Sequence, residues 1–326
     1  MWTTLLVVNV IQGLVALVWM QGFRRIVAPR SPELSAALGV LGLMLPPIVM
    51  GAHALDPIAW PDTWIAVRTA LWIQRAIEIP PVPWLLALFF VGTTLVFLVQ
   101  ELLPALGRRR ARRRASTSSD PRWTNALVRV TRAAQIAQMA DTAKTARVTA
   151  AVVETQNAFA AAAGFGQPAI QISRGLLDRL ADDELDAVMA HELGHIVRGG
   201  NGRRLLIWLL RGLQAPSPAA LICFRTFVEV EEEACDAWAA RLLKTPGALA
   251  RALIEVERQR ARLLGPGSPE AAAPRRAFEI VEARASFART QIRVRRLLDE
   301  GFDVPLSKLV MLPSAALLGG LLWLIR

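Results

Sequence analysis

His191 and His195 bracket Glu192 in the stretch Ala190-His191-Glu192-Leu193-Gly194-His195, the pattern H-E-x-x-H. Residues four apart on a helix lie one turn above each other on one face. Both imidazoles can therefore aim a ring nitrogen at a single ion, and zinc is the ion that this donor pair suits. Glu192 stands beside the pair, where its carboxylate can take a proton from a water polarised by the ion, the work of a general base in metal-assisted hydrolysis. The chain has 3 histidines. Two of them fall in this pattern, so the spacing is not a by-product of a histidine-rich composition. His53, the third, stands near the outer end of an apolar run and reads as a helix-end or interface residue with no assigned role.

A catalytic zinc takes three protein ligands and keeps one position open. The third must come from downstream, where Glu229-Val230-Glu231-Glu232-Glu233-Ala234-Cys235-Asp236 is a dense acidic cluster in a helical segment. Its spacing puts Glu232 and Asp236 on one face. Glu232 is the expected ligand, and Asp236, one turn on, the expected acceptor of a ring N–H of His191, which fixes that tautomer. Glu229, Glu231 and Glu233 are rivals, and the competing reading is a solvated helix face. A thiolate from Cys235 would block the open position, so Cys235 is expected as a buried free thiol.

The elements that must position these groups are legible in part. Asp182 and Asp183 precede the motif as cap and first-turn acids and Gly199-Gly200 follows it as a stop, which predicts a helix over about 183–198. Leu185, Met189, Leu193 and Ile196 form its expected buried stripe, leaving the histidines toward a cleft. Ala126 to about Thr145 has apolar residues at helical spacing, and Val148 to Val153 turns β-branched and reads as a strand. Asn157–Ala162 and Ala169–Ser173 flank Gly164-Phe165-Gly166-Gln167 as a hairpin, whose edge strand could hold an extended substrate by backbone hydrogen bonds. After Lys244 the chain reads as helices broken at Pro246-Gly247 and Gly265-Pro266-Gly267.

Composition sets the surroundings. The 326 residues are 53% hydrophobic, with a mean hydropathy of +0.36, too apolar for one water-soluble domain of this size. Trp2–Phe23, Leu34–Leu55 and Ile79–Gln100 are uncharged runs long enough to cross a bilayer, and Leu309–Ile325 is a shorter fourth. No positive charge precedes the first run and Arg24 and Arg25 follow it, so it reads as an anchor rather than a removable signal peptide. Arg24, Arg25 and Arg30, and more heavily Arg108 to Arg114, mark the cytoplasmic side. The expected order is three membrane helices over 1–104, a cytoplasmic domain over 105–304 and a last membrane helix over 305–326. Between the second and third runs, Trp60, Trp64 and Trp72 with Arg68 and Arg75 form an amphipathic external loop suited to the interface. Leu205 to Phe224, interrupted by Arg211, Pro216 and Pro218, is expected as an interfacial or half-buried hairpin rather than a span.

The net charge of +11 does not point to nucleic acid. Anionic lipid headgroups beside Arg108–Arg114 account for it better. Ser116 to Pro121 reads as a short flexible linker. Cys223 and Cys235, on the cytoplasmic side, are expected as free thiols.

His191 to His195 together with Glu232-Glu233-Ala234-Cys235-Asp236 resembles the Glu-x-x-x-Asp gluzincins, zinc peptidases in which two such motifs supply two histidines, a glutamate ligand and a supporting aspartate. Asn157-Ala158-Phe159, Gly175-Leu176-Leu177 and Asp183-Glu184-Leu185 ahead of the motif resemble the heat-shock membrane protease (HtpX-like) and CAAX prenyl protease branch. The short apolar connection 205–224, the Ala-Cys-Asp triplet and the placing of the apolar runs resemble instead the β-lactam sensor-transducer (BlaR-like) branch, whose extracellular sensor has no counterpart here. The likeness is specific over about Val148 to Lys244.

It implies a mainly α protein: multi-pass membrane helices plus a zincin-type α+β metallopeptidase domain with a small sheet and the motif on a helix. The implied function is a membrane-embedded zinc endopeptidase with one Zn2+ per chain, cutting membrane or membrane-proximal proteins at the cytoplasmic face of the bacterial inner membrane. A signalling peptidase that inactivates a transcriptional repressor and a non-catalytic membrane scaffold are the alternatives. The chain has no tyrosine and no spare cytoplasmic histidine, so an arginine, a backbone N–H or the ion itself must stabilise the oxyanion. The resemblance of Arg293-Val294-Arg295-Arg296 to a late Arg-Val/Ile motif makes Arg293, or Arg289, the candidate.

Overall fold

Helices α1 (Trp2–Val27), α2 (Pro32–Ala54) and α3 (Val82–Phe97) lead the chain, followed by strand β1 (Thr117–Ser118) and helices α4 (Pro121–Ile136) and α5 (Thr142–Thr145). Strands β2 (Thr149–Val153), β3 (Ala160–Ala163) and β4 (Ala169–Ser173) come next, with α6 (Arg174–Leu177) and α7 (Asp182–Val197) after them. Among the described residues the order continues with α8 (Gly200–Leu213), α9 (Pro218–Leu243), α10 (Pro246–Leu264), α11 (Ala277–Asp299) and α12 (Met311–Trp323). This computed structural model describes residues 2–27, 32–54, 71–72, 74–76, 78–99, 117–164, 167–214, 217–264, 277–299 and 311–323. The Trp60 and Trp64 segment, the Arg108–Arg114 run, Ser116 and Gly265-Pro266-Gly267 lie outside the described residues. Among the described residues the protein is mainly helical with one small mixed sheet.

The chain divides into two units, one of residues 1–110, 205–232 and 303–326, the other of 111–204 and 233–302. Residues 205–232, sequentially inside the expected cytoplasmic block, thus group with the apolar first unit. That unit's core joins Trp19 and Met20 of α1, Leu38 and Leu43 of α2, Ile207 of α8, Phe227 of α9 and Leu318 of α12. Of the stretches described in full, Pro32–Val49 is the one both long and apolar enough to cross a membrane, with Val82–Phe97 and Leu312–Leu322 apolar but shorter. Arg211 is fully buried. Its Nη1 donates to the Gln214 carbonyl at 2.9 Å and its guanidinium lies 5.1 Å from the Phe97 ring centre. Gln214 in turn donates to the Leu43 carbonyl of α2 at 2.8 Å. These bonds offset part of the cost of burying polar atoms among apolar helices.

In the second unit, α4 begins where the Asp120 carboxylate accepts the Arg122 N–H at 2.9 Å, with Pro121 in the first turn, a favourable helix start. Trp123, Ala126, Leu127, Val130 and Ala134 fall on one face and are buried, and the Trp123 indole N–H donates to the Ile170 carbonyl of β4 at 3.1 Å. The single helix expected up to Thr145 stops early. Gln138 takes a left-handed conformation with φ of +54°, and Asp141 accepts the Ala143 N–H at 2.9 Å to start the separate α5. The sheet runs β1-β2-β4-β3, with β2 and β4 parallel and the two outer pairs antiparallel. Ile170 and Ile172 of β4 bury one face, the period-two pattern of a half-covered sheet. The β3–β4 hairpin expected from sequence is present. Gly164 sits beside its turn with φ of +86°, where a Cβ would lie 2.3 Å from the Gln167 carbonyl oxygen. Thr117 to Pro121, expected as flexible linker, instead supplies β1 and the α4 cap.

Candidate metal centre

Helix α7 carries the motif through the middle of this unit. From Leu185 to His195 every residue except Asp186 is buried, so the expected single stripe is exceeded: α4, α10, β3 and β4 all pack on this helix. The cap also differs from expectation. No aspartate side chain caps α7; the Glu184 carboxylate reaches back and accepts the Ala181 N–H at 3.0 Å, one half of a capping box. Asp182 pairs instead with Arg122 at 2.7 Å, and Asp183 and Glu184 both meet Arg251 of α10. Gly199 ends the helix with φ of +118°, as the Gly-Gly stop implied.

His191, Glu192 and His195 are 7%, 7% and 4% exposed, so the motif is sheltered but not sealed. The imidazole rings stand 4.9 Å apart between centres and 89° to each other. One donor atom each from His191, His195 and Glu232 lie within 4.8 Å of one another, a two-nitrogen, one-oxygen set of the kind zinc accepts. A second set, His195, Glu231 and Cys235, meets the same distance, so Glu231 remains a geometric rival. Glu233 does not: it is ion-paired with Arg296 of α11.

Both histidines have their inner nitrogen engaged by α9. Asp236 Oδ1 lies 2.8 Å from His191 Nδ1, the contact the spacing implied. Cys235 Sγ lies 3.0 Å from His195 Nδ1. The sequence offered no signal for that second contact beyond the residue's place next to Asp236. It depends on Gly194, where an added Cβ would lie 3.2 Å from the Trp238 ring and 3.7 Å from Cys235 Cα, so α9 can approach closely there.

Arg293, the expected candidate for a developing oxyanion, meets Asp236. Its Nε donates to Asp236 Oδ2 at 2.6 Å and its Nη2 to Oδ1 at 2.7 Å, the planar fork-to-carboxylate match that arginine favours. Arg289 is exposed. Burial pushes the Asp236 carboxyl up, but the Arg293 charge and hydrogen bonds, with the His191 contact, outweigh it and hold the group below its ordinary value. Asp236 is thereby kept anionic. Glu192 has a partner that sequence did not reveal, since its Oε2 accepts the Ala162 N–H of β3 at 2.8 Å.

The sequence matches the model of "Peptidase family M48" over residues 124–298, the stretch that contains every site residue above. The chain is also similar to a "Protease HtpX homolog" of Trichormus variabilis, at 30% identity over 143 residues, 32% of this chain and 48% of that protein. A "Protease HtpX homolog" of Neisseria gonorrhoeae is 42% identical over 57 residues, 18% of this chain and 19% of that protein. The "Protease HtpX" of Actinobacillus pleuropneumoniae matches with the same identity and coverage. The chain thus spans between about a fifth and about half of the length of these relatives. They carry the heat-shock branch's name, and none of these relatives carries that of the sensor-transducer branch. Because the family match covers more than half of its residues, the chain belongs to peptidase family M48, a family of zinc metallopeptidases.

Proposed function

We propose that this chain is a membrane-embedded zinc-dependent endopeptidase cutting membrane or membrane-proximal proteins at the cytoplasmic face, with His191, His195 and Glu232 as its metal ligands. The observation that carries the reading is the pair of histidines whose Nδ1 atoms are already engaged by Asp236 and Cys235. Each ring is then left with Nε2 as its ligand atom, and the Glu232 carboxylate is in reach. A zinc ion bound by this set supplies Lewis-acid polarisation of a water and of the scissile carbonyl.

The remaining work falls to the chain's own groups. Glu192 takes a proton from the attacking water and passes it to the leaving amine. The Ala162 N–H that it accepts holds its carboxylate in one orientation. Asp236 fixes the His191 tautomer, and Arg293 keeps Asp236 charged, which makes Arg293 a positioning residue and leaves oxyanion stabilisation to the ion or a backbone N–H. The edge strand supports a peptide substrate. Phe159 accepts from Ser173 N–H and Ala162 spends its N–H on Glu192 rather than on β4. By antiparallel alternation, Ala160 and Ala162 turn their backbone groups outward, where an extended chain can add as a further strand on Ala160 and the Ala162 carbonyl.

Membrane embedding is supported by the apolar helices of the first unit and by their outward-facing side chains, Trp84 and Leu88 of α3 and Leu312 of α12 among them. The concentration of arginines after the first and third apolar runs supports the cytoplasmic face.

Glu192→Gln, in the full-length chain purified in detergent, tests the reading. Zinc content should stay at wild-type level while cleavage of casein falls by about 10²–10⁴-fold. His191→Ala and Glu232→Ala should lose zinc and cleavage together. Full zinc in Glu232→Ala would move the third ligand to Glu231, and cleavage by Glu192→Gln at the wild-type rate would remove the general base.

A further inference from the structure

Asp236 is the orienting group of His191, and the chemistry above gives no role of its own to what stands beside His195. A ligating imidazole needs one, because the nitrogen that does not bind must carry the proton and keep the ring in plane with the ion. Cys235 Sγ is 3.0 Å from His195 Nδ1, and the thiol is fully buried beside a ring that is 4% exposed. Consecutive residues on a helix point about 100° apart. Cys235 and Asp236, adjacent on α9, thus diverge enough for each to face one ring, as in their contacts with His195 and His191. Gly194 leaves room for this, with α9 passing where a Cβ would contact Trp238 and Cys235.

We propose that Cys235 is the positioning residue for His195: its sulfur accepts the Nδ1–H of the ring and leaves Nε2 for the metal. The proposal rests on the zinc reading of this site. A thiol suits the position because it is a small, largely apolar group with a weak acceptor sulfur. A carboxylate here would add a second buried charge next to Asp236, whose own charge already requires the Arg293 fork. The two histidines therefore differ. His191 is backed by an ionised acceptor and His195 by a neutral one, so the Cys235 contribution to metal affinity is the smaller.

The test compares wild type, Cys235→Ala and Cys235→Ser as full-length chains in detergent. Zinc dissociation constants are measured by chelator competition, the visible absorption bands are recorded with Co2+, and the melting temperature is taken without metal. Cys235→Ala is expected to bind zinc about tenfold more weakly, the lower end for losing such a partner, with shifted cobalt bands and an unchanged metal-free melting temperature. Cys235→Ser, whose hydroxyl can accept the same hydrogen bond, is expected to restore the affinity and the bands. Wild-type affinity and spectrum in Cys235→Ala would overturn the proposal and leave the zinc site standing. Equal losses in both variants with a parallel drop in metal-free melting temperature would overturn it in favour of packing. Failure of the wild-type chain to bind zinc at all would overturn the site reading and this proposal together.

Discussion

Each unit has an apolar core, and the two differ in what they expose around it and in the polar groups they bury. In the first, large apolar groups face outward, with Trp84 at 80%, Leu312 at 73% and Leu88 at 70% exposure, while Gln12, Arg211, Gln214 and Ser217 are buried. In the second, Ile170, Ile172, Leu185 and Met189 are buried, and the surface carries ion pairs such as Arg129–Asp186 at 2.7 Å. In water the second arrangement is favourable and the first costly, since a contiguous apolar exterior orders solvent around it. A bilayer reverses the balance by solvating the apolar exterior and forcing polar groups to find partners inside. Among the described residues, buried Asp236 meets a charged arginine, and buried Arg211 donates to a carbonyl and lies against a ring face.

Removing the charge match in the second unit should have the largest effect. Arg293→Ala strands the buried Asp236 carboxylate. It should lower unfolding free energy by about 3–5 kcal/mol and zinc affinity by about 10–100-fold, read by denaturation and by chelator competition. A variant with wild-type values of both would break the chain of contacts from Arg293 to His191.

The solvent contrast is sharpened by one substitution made twice. Leu88 of α3 and Ile136 of α4 are similarly exposed, at 70% and 75%. Leu88→Arg should cost about 2.5–3.5 kcal/mol in membrane integration, seen as loss of the chain from carbonate-washed membranes, while Ile136→Arg should leave both integration and melting temperature as they are. Equal tolerance at the two positions would remove the bilayer from the comparison.

The smallest effect concerns the surface network that fastens β1. Arg174 contacts Asp120 at 2.7 Å and Glu154 at 3.0 Å, and its hydrogen bond to Asp120 is the main cause holding that carboxyl below its ordinary value of 3.8. A depressed folded-state value means stabilisation that is present above the unfolded value and lost as pH falls through the folded one. The melting temperature of Arg174→Met should therefore trail wild type by a small constant margin at neutral pH, as exposed ion pairs contribute little, and converge with it as pH drops below about 4. A margin that persists at low pH would assign it to packing.

The motif helix, the β3–β4 hairpin, β2 and the apolar helices were legible because each is a local pattern: H-E-x-x-H spacing, a glycine-marked turn, β-branched alternation and uncharged runs. Boundaries were less so. The α7 cap was misplaced from Glu184 to the aspartates because a side chain reaching back three residues and one drawn off to Arg122 or Arg251 look alike in sequence. The break at Gln138 depends on a left-handed residue that carries no glycine to announce it. Residues 205–232 grouped with the first unit because their apolar side chains found α1 and α2, a choice made by packing and not by chain order.

The sequence by itself determined which atoms could do the chemistry. Two imidazoles and a carboxylate in one helical repeat, an acidic helix downstream and a shortage of every other histidine left few alternatives for a metal and its base. Only the tertiary structure decided how those atoms are held. Arg293 lies 57 residues beyond Asp236 and Ala162 lies 30 before Glu192, and no periodicity links positions that far apart. Their contacts arise when α9 closes on Gly194, α11 on α9 and β3 on α7. Packing of buried faces therefore turned Arg293 from an expected partner of the substrate into the counter-charge of Asp236, and placed the Cys235 thiol behind His195.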